Sequence, residues 1–139
     1  MARVLAYLTF DGNCREAMEF YKGALGGELD IMTVDQSPAA AQMPKEELKL
    51  VMHAALKSDR LELMASDNFG GGSKTSVGSA ISLMLYCDSE EEIRSVFPRL
   101  AAGGRVNTEL RKEFWGSLYG DITDKFGLRW MLNYDLLKA

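Results

Sequence analysis

Residues 7–29 read YLTFDGNCREAMEFYKGALGGEL, which is the pattern of a strand, a helix and the start of a second strand. Asn13 stands at the predicted N-cap of the helix, and Glu16 follows three residues later, a pattern similar to a capping box. Glycine adopts the left-handed conformation at no steric cost, so Gly26 and Gly27 predict the end of the helix. The stretch therefore predicts that the chain begins with a strand, a helix over residues 14–25 and a second strand.

The same pattern recurs 77 residues further along the chain. Six of 22 aligned columns between residues 8–29 and 85–106 are identical, namely Leu8/Leu85, Asp11/Asp88, Phe20/Phe97, Ala24/Ala101, Gly26/Gly103 and Gly27/Gly104. The second helix has Ser89 as its predicted N-cap. A shift of 68 aligns residues 53–67 with 121–135, although only two columns are identical there. The two matches occur in the same order and favour an internal duplication.

The duplication predicts a βαβββ module of about residues 1–68, a linker of about 69–78 and a second module of about 79–139. One helix covers one face of a four-stranded sheet, so the other face must meet a partner sheet. We therefore predict an α+β fold in which two βαβββ modules form a half-open mixed β-sheet barrel with helices on the outside. The concave cleft of such a barrel suits a small ligand.

Composition excludes several classes of function. The chain of 139 residues has a net charge of −4 and no basic run, which argues against nucleic acid as a partner. No apolar run approaches the ~20 residues that cross a bilayer. Cys14 and Cys87 lack metal or redox spacing and are predicted to be free thiols in a reducing compartment, so we expect a cytoplasmic protein.

The closing stretch, residues 113–132, reads EFWGSLYGDITDKFGLRWML and contains both tryptophans. Trp130 shares strand parity with Leu132, so we predict that it belongs to the core. Trp115 follows Phe114 at the end of a strand, where a ring can overhang a cleft. A pocket contact, a dimer contact and a core position all remain open for Trp115.

Three stretches resemble a known superfamily. Residues 7–29 resemble the opening module of the glyoxalase / bleomycin-resistance / extradiol-dioxygenase (vicinal oxygen chelate) superfamily. MHAALKSDRLELMASD (52–67) and FWGSLYGDITDKFGLRWMLN (114–133) are similar to its PhnB-like branch, whose members often carry a label relating them to demethylubiquinone methyltransferase. The resemblance implies paired βαβββ modules, a small organic ligand and, usually, a homodimer. Superfamily members include metal-dependent lyases, isomerases and dioxygenases, and metal-free proteins that sequester an antibiotic.

The resemblance also implies where a metal would bind. Metal-dependent members have a His, Glu or Gln ligand on the first and the last strand of each module. In this chain those positions fall at Ala6 (or Leu5 or Tyr7), near Leu63 with Glu62 adjacent, at Ser82 or Met84, and at Met131. Only Glu62 is a good ligand for a hard divalent ion. We therefore expect no tightly bound metal and no other cofactor.

His53, the single histidine, and Glu62 are the candidate catalytic residues. Each has a plain alternative, His53 as a hydrogen-bonded core or hairpin residue and Glu62 as a solvated strand residue. The candidate ligand-binding residues are Tyr7, His53, Phe114, Trp115 and Met131. The leading hypothesis is a PhnB-like small-molecule-binding protein without a tightly bound metal. The alternatives are a metal-dependent lyase, isomerase or dioxygenase that uses Glu62 and His53, and an antibiotic-sequestering protein.

Overall fold

The computed structural model describes residues 2–69 and 74–136. The chain divides between Ser76 and Val77 into two units, which we call module one and module two. In the described residues each module has one four-stranded sheet and one α-helix, in the order βαβββ. The predicted α+β class and the two βαβββ modules are therefore confirmed.

Module one has a mixed sheet. Its elements are β1 (Ala6–Phe10), α1 (Cys14–Leu25), β2 (Glu28–Thr33), β3 (Val51–Lys57) and β4 (Glu62–Asp67). The strand order is β1-β4-β3-β2, in which β1 and β4 are parallel and the other neighbours are antiparallel. The connection between β2 and β3 contains three short 3-10 segments, at Val34–Gln36, Pro38–Gln42 and Lys45–Glu47.

Module two repeats this arrangement. Its elements are β5 (Leu83–Tyr86), α2 (Glu90–Ala101), β6 (Arg105–Lys112), β7 (Ser117–Thr123) and β8 (Arg129–Asp135). The strand order is β5-β8-β7-β6, and again the first pair is parallel and the others are antiparallel.

Each sheet has a helix face and an opposite face, which we call the open face. In module one, α1 packs on β2, β3 and β4. Ala54, Leu56, Leu63 and Ala65 share the helix face and are buried. Because side chains alternate between the two faces of a strand, the residues between them point to the open face. In module two, α2 packs on β6, β7 and β8 in the same way.

Asn13 and Ser89 are the N-cap residues of α1 and α2, as predicted, but only Ser89 caps its helix through its side chain. Asn13 makes no side-chain cap hydrogen bond. Instead the buried Asp67 carboxylate, at the end of β4, accepts hydrogen bonds from the backbone N–H groups of Gly12 (3.0 Å) and Cys14 (2.9 Å). Sequence patterns detect only local caps, and this one comes from another strand. In α2 the Ser89 hydroxyl accepts from the Glu92 N–H at 3.0 Å.

The strand register corrects the alignment of the closing hairpins. Ala6 pairs with Leu63 and Leu83 pairs with Trp130, so a shift of 77 between β1 and β5 requires 130 − 63 = 67 between β4 and β8. The shift of 68 proposed from the sequence is therefore wrong by one residue. One residue changes the face of every side chain on a strand. Met131 consequently corresponds to Met64 and not to Leu63.

Candidate functional site

The open face of module one carries a polar pair next to two methionines. Tyr7 lies opposite Met64, on β1 and β4, and Met32 lies opposite His53, on β2 and β3. The Tyr7 hydroxyl is 3.3 Å from Nδ1 of His53. The two ring centroids are 5.9 Å apart with an interplanar angle of 36°. The structure thus brings together two of the predicted ligand-binding residues.

The geometry of this pair leaves one imidazole nitrogen for a ligand. Tyr7 is 52% exposed and His53 is half-buried. Within residues 2–69 and 74–136 the Nε2 atom of His53 has no hydrogen-bond partner, since the only bond of this ring involves Nδ1. A neutral imidazole has one donor nitrogen and one acceptor nitrogen. The pair can therefore hold one polar atom of a ligand against the methionine side chains.

Glu62 also lies on the open face but is engaged elsewhere. Its carboxylate is 2.9 Å from Nη1 of Arg3 and 3.7 Å from Nζ of Lys57. Lys57 is its direct cross-strand neighbour. In the part of the chain that the structure describes, no hydrogen bond or ion pair connects Glu62 with His53. The two candidate catalytic residues thus share a face without forming a pair.

On the open face of module two, two methionines occupy the positions that Tyr7 and Met64 have in module one. Met84 lies opposite Met131 on β5 and β8, where module one has Tyr7 and Met64. Met131 in turn lies opposite Asp121 on β7. Met131 therefore belongs to the open face, next to a carboxylate and a second methionine.

Three aromatic residues, which we call the aromatic cluster, are in contact at the turn between β6 and β7 and at the start of β7: Phe114, Trp115 and Tyr119. Phe114 is 96% exposed and Trp115 is 52% exposed. The Trp115 ring is 5.0 Å from Phe114 and 6.2 Å from Tyr119 between centroids, and both contacts are edge-to-face. The core alternative for Trp115 is excluded by this exposure, while pocket and dimer contacts remain open.

The Tyr119 hydroxyl is fixed by a carboxylate. It donates a hydrogen bond of 2.8 Å to Oδ2 of Asp121, two residues along β7. Burial first, and then the hydrogen bond to Asp121, raise the pKa of Tyr119 to about 12. The phenol therefore stays protonated at neutral pH and keeps donating to the carboxylate.

Trp130 has a structural role, as predicted. It is 2% exposed and lies on the helix face of module two. Its indole N–H donates to Oδ2 of Asp124 at 2.9 Å, and Asp124 is itself buried in the turn before β8. The two tryptophans are thus fifteen residues apart in the sequence and differ in environment.

The residues at the metal-ligand positions do not fit a hard divalent ion. With Met131 on the open face, the four equivalent positions are Tyr7, Met64, Met84 and Met131. These offer a phenol and three thioethers, whereas hard divalent ions take imidazole and carboxylate ligands. Among residues 2–69 and 74–136, no group of three or more His, Cys, Asp or Glu side chains could hold a metal ion.

Sequence reasoning missed Met64, Tyr119 and Asp121. The missing signal was the strand register, since a shift of 67 would have aligned Met64 with Met131. Tyr119 and Asp121 could have been found by parity, because they are two residues apart on one strand and share the face of Ser117. Long-range pairing, which the sequence does not give, decides that this is the open face.

The chain was compared with known families and structures. Residues 2–133 match the family described as 3-demethylubiquinone-9 3-methyltransferase. The chain belongs to this family. Protein YjdN of Escherichia coli K12 is 32% identical over 136 residues, covering 91% of both chains. The crystal structure of protein PA1353 from Pseudomonas aeruginosa has a TM-score of 0.85 and 37% identity, covering 97% of this chain and 98% of that one.

More distant solved structures share the fold. A PhnB protein of Bacillus cereus, which is also described as a 3-demethylubiquinone-9 3-methyltransferase, has a TM-score of 0.71 and 27% identity, covering 96% of this chain and 99% of that chain. A glyoxalase/bleomycin resistance protein/dioxygenase family enzyme from Burkholderia phytofirmans PsJN shares the fold alone, with a TM-score of 0.63 and 16% identity over 97% of this chain and all of that one. The chain is therefore a PhnB-like protein with the glyoxalase fold.

Proposed function

We propose that this PhnB-like protein binds a small organic molecule on the open faces of its sheets. In module one the contacts are made by Tyr7 and His53, and in module two by Phe114, Trp115 and Met131. The observation that carries the proposal is the Tyr7–His53 pair, a partly exposed polar contact of 3.3 Å on a face that carries methionines. Apolar walls with a few convergent polar groups are the usual composition of a ligand site.

The proposed site works without a tightly bound metal. Thioether side chains at three of the four ligand positions favour apolar contact over coordination of a hard ion. The metal-dependent alternative needs Glu62 and His53 to act together. The ion pairs of Glu62 with Arg3 and Lys57 argue against that use, because they hold its carboxylate at the N-terminal end of β4. Antibiotic sequestration is one form of the proposed binding and differs from it only in the ligand.

Two further properties belong to the proposal. We infer a homodimer and a cytoplasmic location, as the resemblance and the cysteines suggest. Cys14 and Cys87 are buried and form no disulfide in the described residues, which suits a reducing compartment. No α-helix in residues 2–69 and 74–136 is long and apolar enough to cross a membrane.

The description of the family names a methyltransferase, but we do not extend that activity to this chain. A Rossmann-type methyltransferase uses a Gly-rich turn between a parallel strand and a helix, within a larger parallel sheet. Here β1 connects to α1 through Asp11, Gly12 and Asn13, and within the described sheet β1 pairs only with β4. Both observations favour binding over methyl transfer by that fold.

A thermal-shift screen tests the proposal. The protein is purified without chelator, analysed for metal, and screened against small organic molecules with and without EDTA. A ligand that binds the folded state raises the melting temperature by mass action. We expect at least one compound to raise it equally with and without EDTA, and His53→Leu to reduce the rise. One stoichiometric transition metal per chain, or shifts that require a divalent ion, would contradict the proposal.

A further inference from the structure

We infer that the aromatic cluster of module two binds an alkylated ammonium group, with Trp115 and Tyr119 as its walls and Asp121 as its counter-ion. The inference rests on the proposed function, since it assigns a ligand class to the side of the site formed by Phe114 and Trp115. It is carried by the arrangement of three rings and one carboxylate within residues 114–121.

The planes of neighbouring rings in the aromatic cluster are steeply inclined to one another. The planes of Phe114 and Trp115 make an angle of 84°, and those of Trp115 and Tyr119 an angle of 67°. An organic cation is attracted to the electron-rich face of an aromatic ring, and several such faces around one cation form an aromatic cage. Trp115, the best ring for this contact, is in the middle and is about half exposed.

The adjacent carboxylate supplies the negative charge. The Asp121 carboxylate accepts a hydrogen bond of 2.8 Å from the Tyr119 hydroxyl, which places the negative charge at the edge of this ring. It forms no ion pair with a lysine or an arginine in the described residues. The half-buried position of Asp121 makes its attraction for a cation stronger than it would be in bulk water.

Two arginines on the same face could oppose a cation, and neither cancels the effect. Arg111, the cross-strand neighbour of Tyr119, is 2.6 Å from Oε1 of Glu113 through its Nε atom, so its charge is matched. Arg129 pairs with Thr123, one row beyond Asp121, and its charge acts to lower the pKa of Tyr119, but in the described residues it forms no ion pair with the Asp121 carboxylate.

Choline and its uncharged isostere 3,3-dimethylbutan-1-ol test the inference. The chain has two tryptophans, so its NMR spectrum contains two indole N–H signals, and Trp115→Leu identifies that of Trp115. We expect choline to shift the signal of Trp115 and not that of the buried Trp130, and to bind about fivefold or more tightly than the neutral isostere. Equal affinity for the two compounds, or no shift of the Trp115 signal with choline, would overturn the inference.

Variants separate charge from shape. Asp121→Asn is expected to weaken choline binding at least threefold while leaving the neutral isostere unchanged. Trp115→Leu should abolish choline binding, as followed through the backbone amides of Tyr119 and Asp121, and Trp115→Phe should retain part of it. Ile81→Ala, an exposed apolar residue of module two outside the cluster, is the control and should bind as the wild type does. Unchanged choline affinity in Asp121→Asn would refute the role of the carboxylate.

The test also keeps the two proposals apart. Binding of the neutral isostere alone would refute the ammonium ligand and still support a small-molecule site at Trp115. If choline is inactive while another compound passes the thermal-shift screen, the ligand class is wrong and the proposed function stands.

Discussion

Tyr7 and Met64 lie side by side on the parallel strands β1 and β4, and Met84 and Met131 have the same relationship on β5 and β8. All four side chains are on the faces opposite the helices. In metal-dependent relatives of this fold the resemblance places metal ligands at these positions. Here they carry polarizable thioethers and a phenol, which suit contact with an organic molecule.

Asp67 is expected to contribute strongly to the stability of module one. Its buried carboxylate accepts hydrogen bonds from Gly12, Cys14 and Val51, the last at 2.8 Å. In Asp67→Asn one oxygen becomes an amino group that faces these donors. We expect the free energy of unfolding to fall by about 2–4 kcal/mol, measured by urea denaturation. Asp59→Asn, in the exposed turn before β4, is the control, and a loss as small as that of the control would contradict the assignment.

Substitution by phenylalanine should destabilise the protein at Trp130 and have little effect on stability at Trp115. Trp130→Phe removes the 2.9 Å hydrogen bond to Asp124, so that this buried carboxylate has one donor fewer. We expect the free energy of unfolding to fall by about 1–3 kcal/mol. Trp115→Phe changes an exposed ring and should alter stability by less than about 0.5 kcal/mol. Chemical denaturation of both variants decides the point. Similar losses in the two would show that the roles are misassigned.

Cys14 should make stability fall at alkaline pH. Burial raises the pKa of its thiol to about 12 from an ordinary value of 9.0, and the nearby Asp67 charge acts in the same direction. Above the ordinary value the unfolded chain releases this proton while the folded chain keeps it, so the stabilisation present below about pH 9 is lost as the pH rises toward 12.

The check is urea unfolding between pH 8 and pH 11. We expect Cys14→Ala to have a shallower decline of stability with pH than the wild type, whatever its stability at pH 8. The native thiol should also resist Ellman's reagent at pH 8, since the side chain is fully buried. An identical decline in the variant, or rapid labelling of native Cys14, would refute the prediction.

Two glycine-to-alanine changes should have opposite signs. A Cβ at Gly120 would lie 2.7 Å from Cε2 of Phe97 and 3.0 Å from the Thr108 carbonyl oxygen, so Gly120→Ala is expected to cost about 1–3 kcal/mol. Gly23, inside α1, has nothing within 4 Å of such a Cβ, and Gly23→Ala should stabilise by about 0.5–1 kcal/mol. Thermal and urea unfolding of the two variants provide the measurement. A tolerated Gly120→Ala would mean that α2 does not pack closely on β7.

Local patterns in the sequence predicted most of the secondary structure. The helix over residues 14–25 and the Ser89 cap both follow from residues within a few positions of each other. The N-cap position Asn13 was predicted correctly, but the acceptor at this helix end was missed because Asp67 is 53 residues away from Cys14. Such a contact exists only once β4 lies next to β1.

The candidate site was harder to predict for the same reason. Parity along β8 correctly separates Trp130 from Met131, but parity does not say which face carries the helix. The alignment of the halves was one residue wrong over β4, and this exchanged Leu63 for Met64. Glu62 therefore looked closer to a ligand position than it is, and Tyr119 and Asp121 were not recognised as neighbours of Trp115.

The central claim is that the open faces bind an organic ligand without a metal. The most direct measurement is calorimetric titration of the best screening compound into EDTA-treated protein, repeated with His53→Leu and with the control Asp59→Asn. We predict the same dissociation constant with and without EDTA, and a dissociation constant about tenfold higher for His53→Leu only, as expected for loss of one polar contact with the ligand. Binding that disappears with EDTA, or that is unchanged in His53→Leu, would contradict the account.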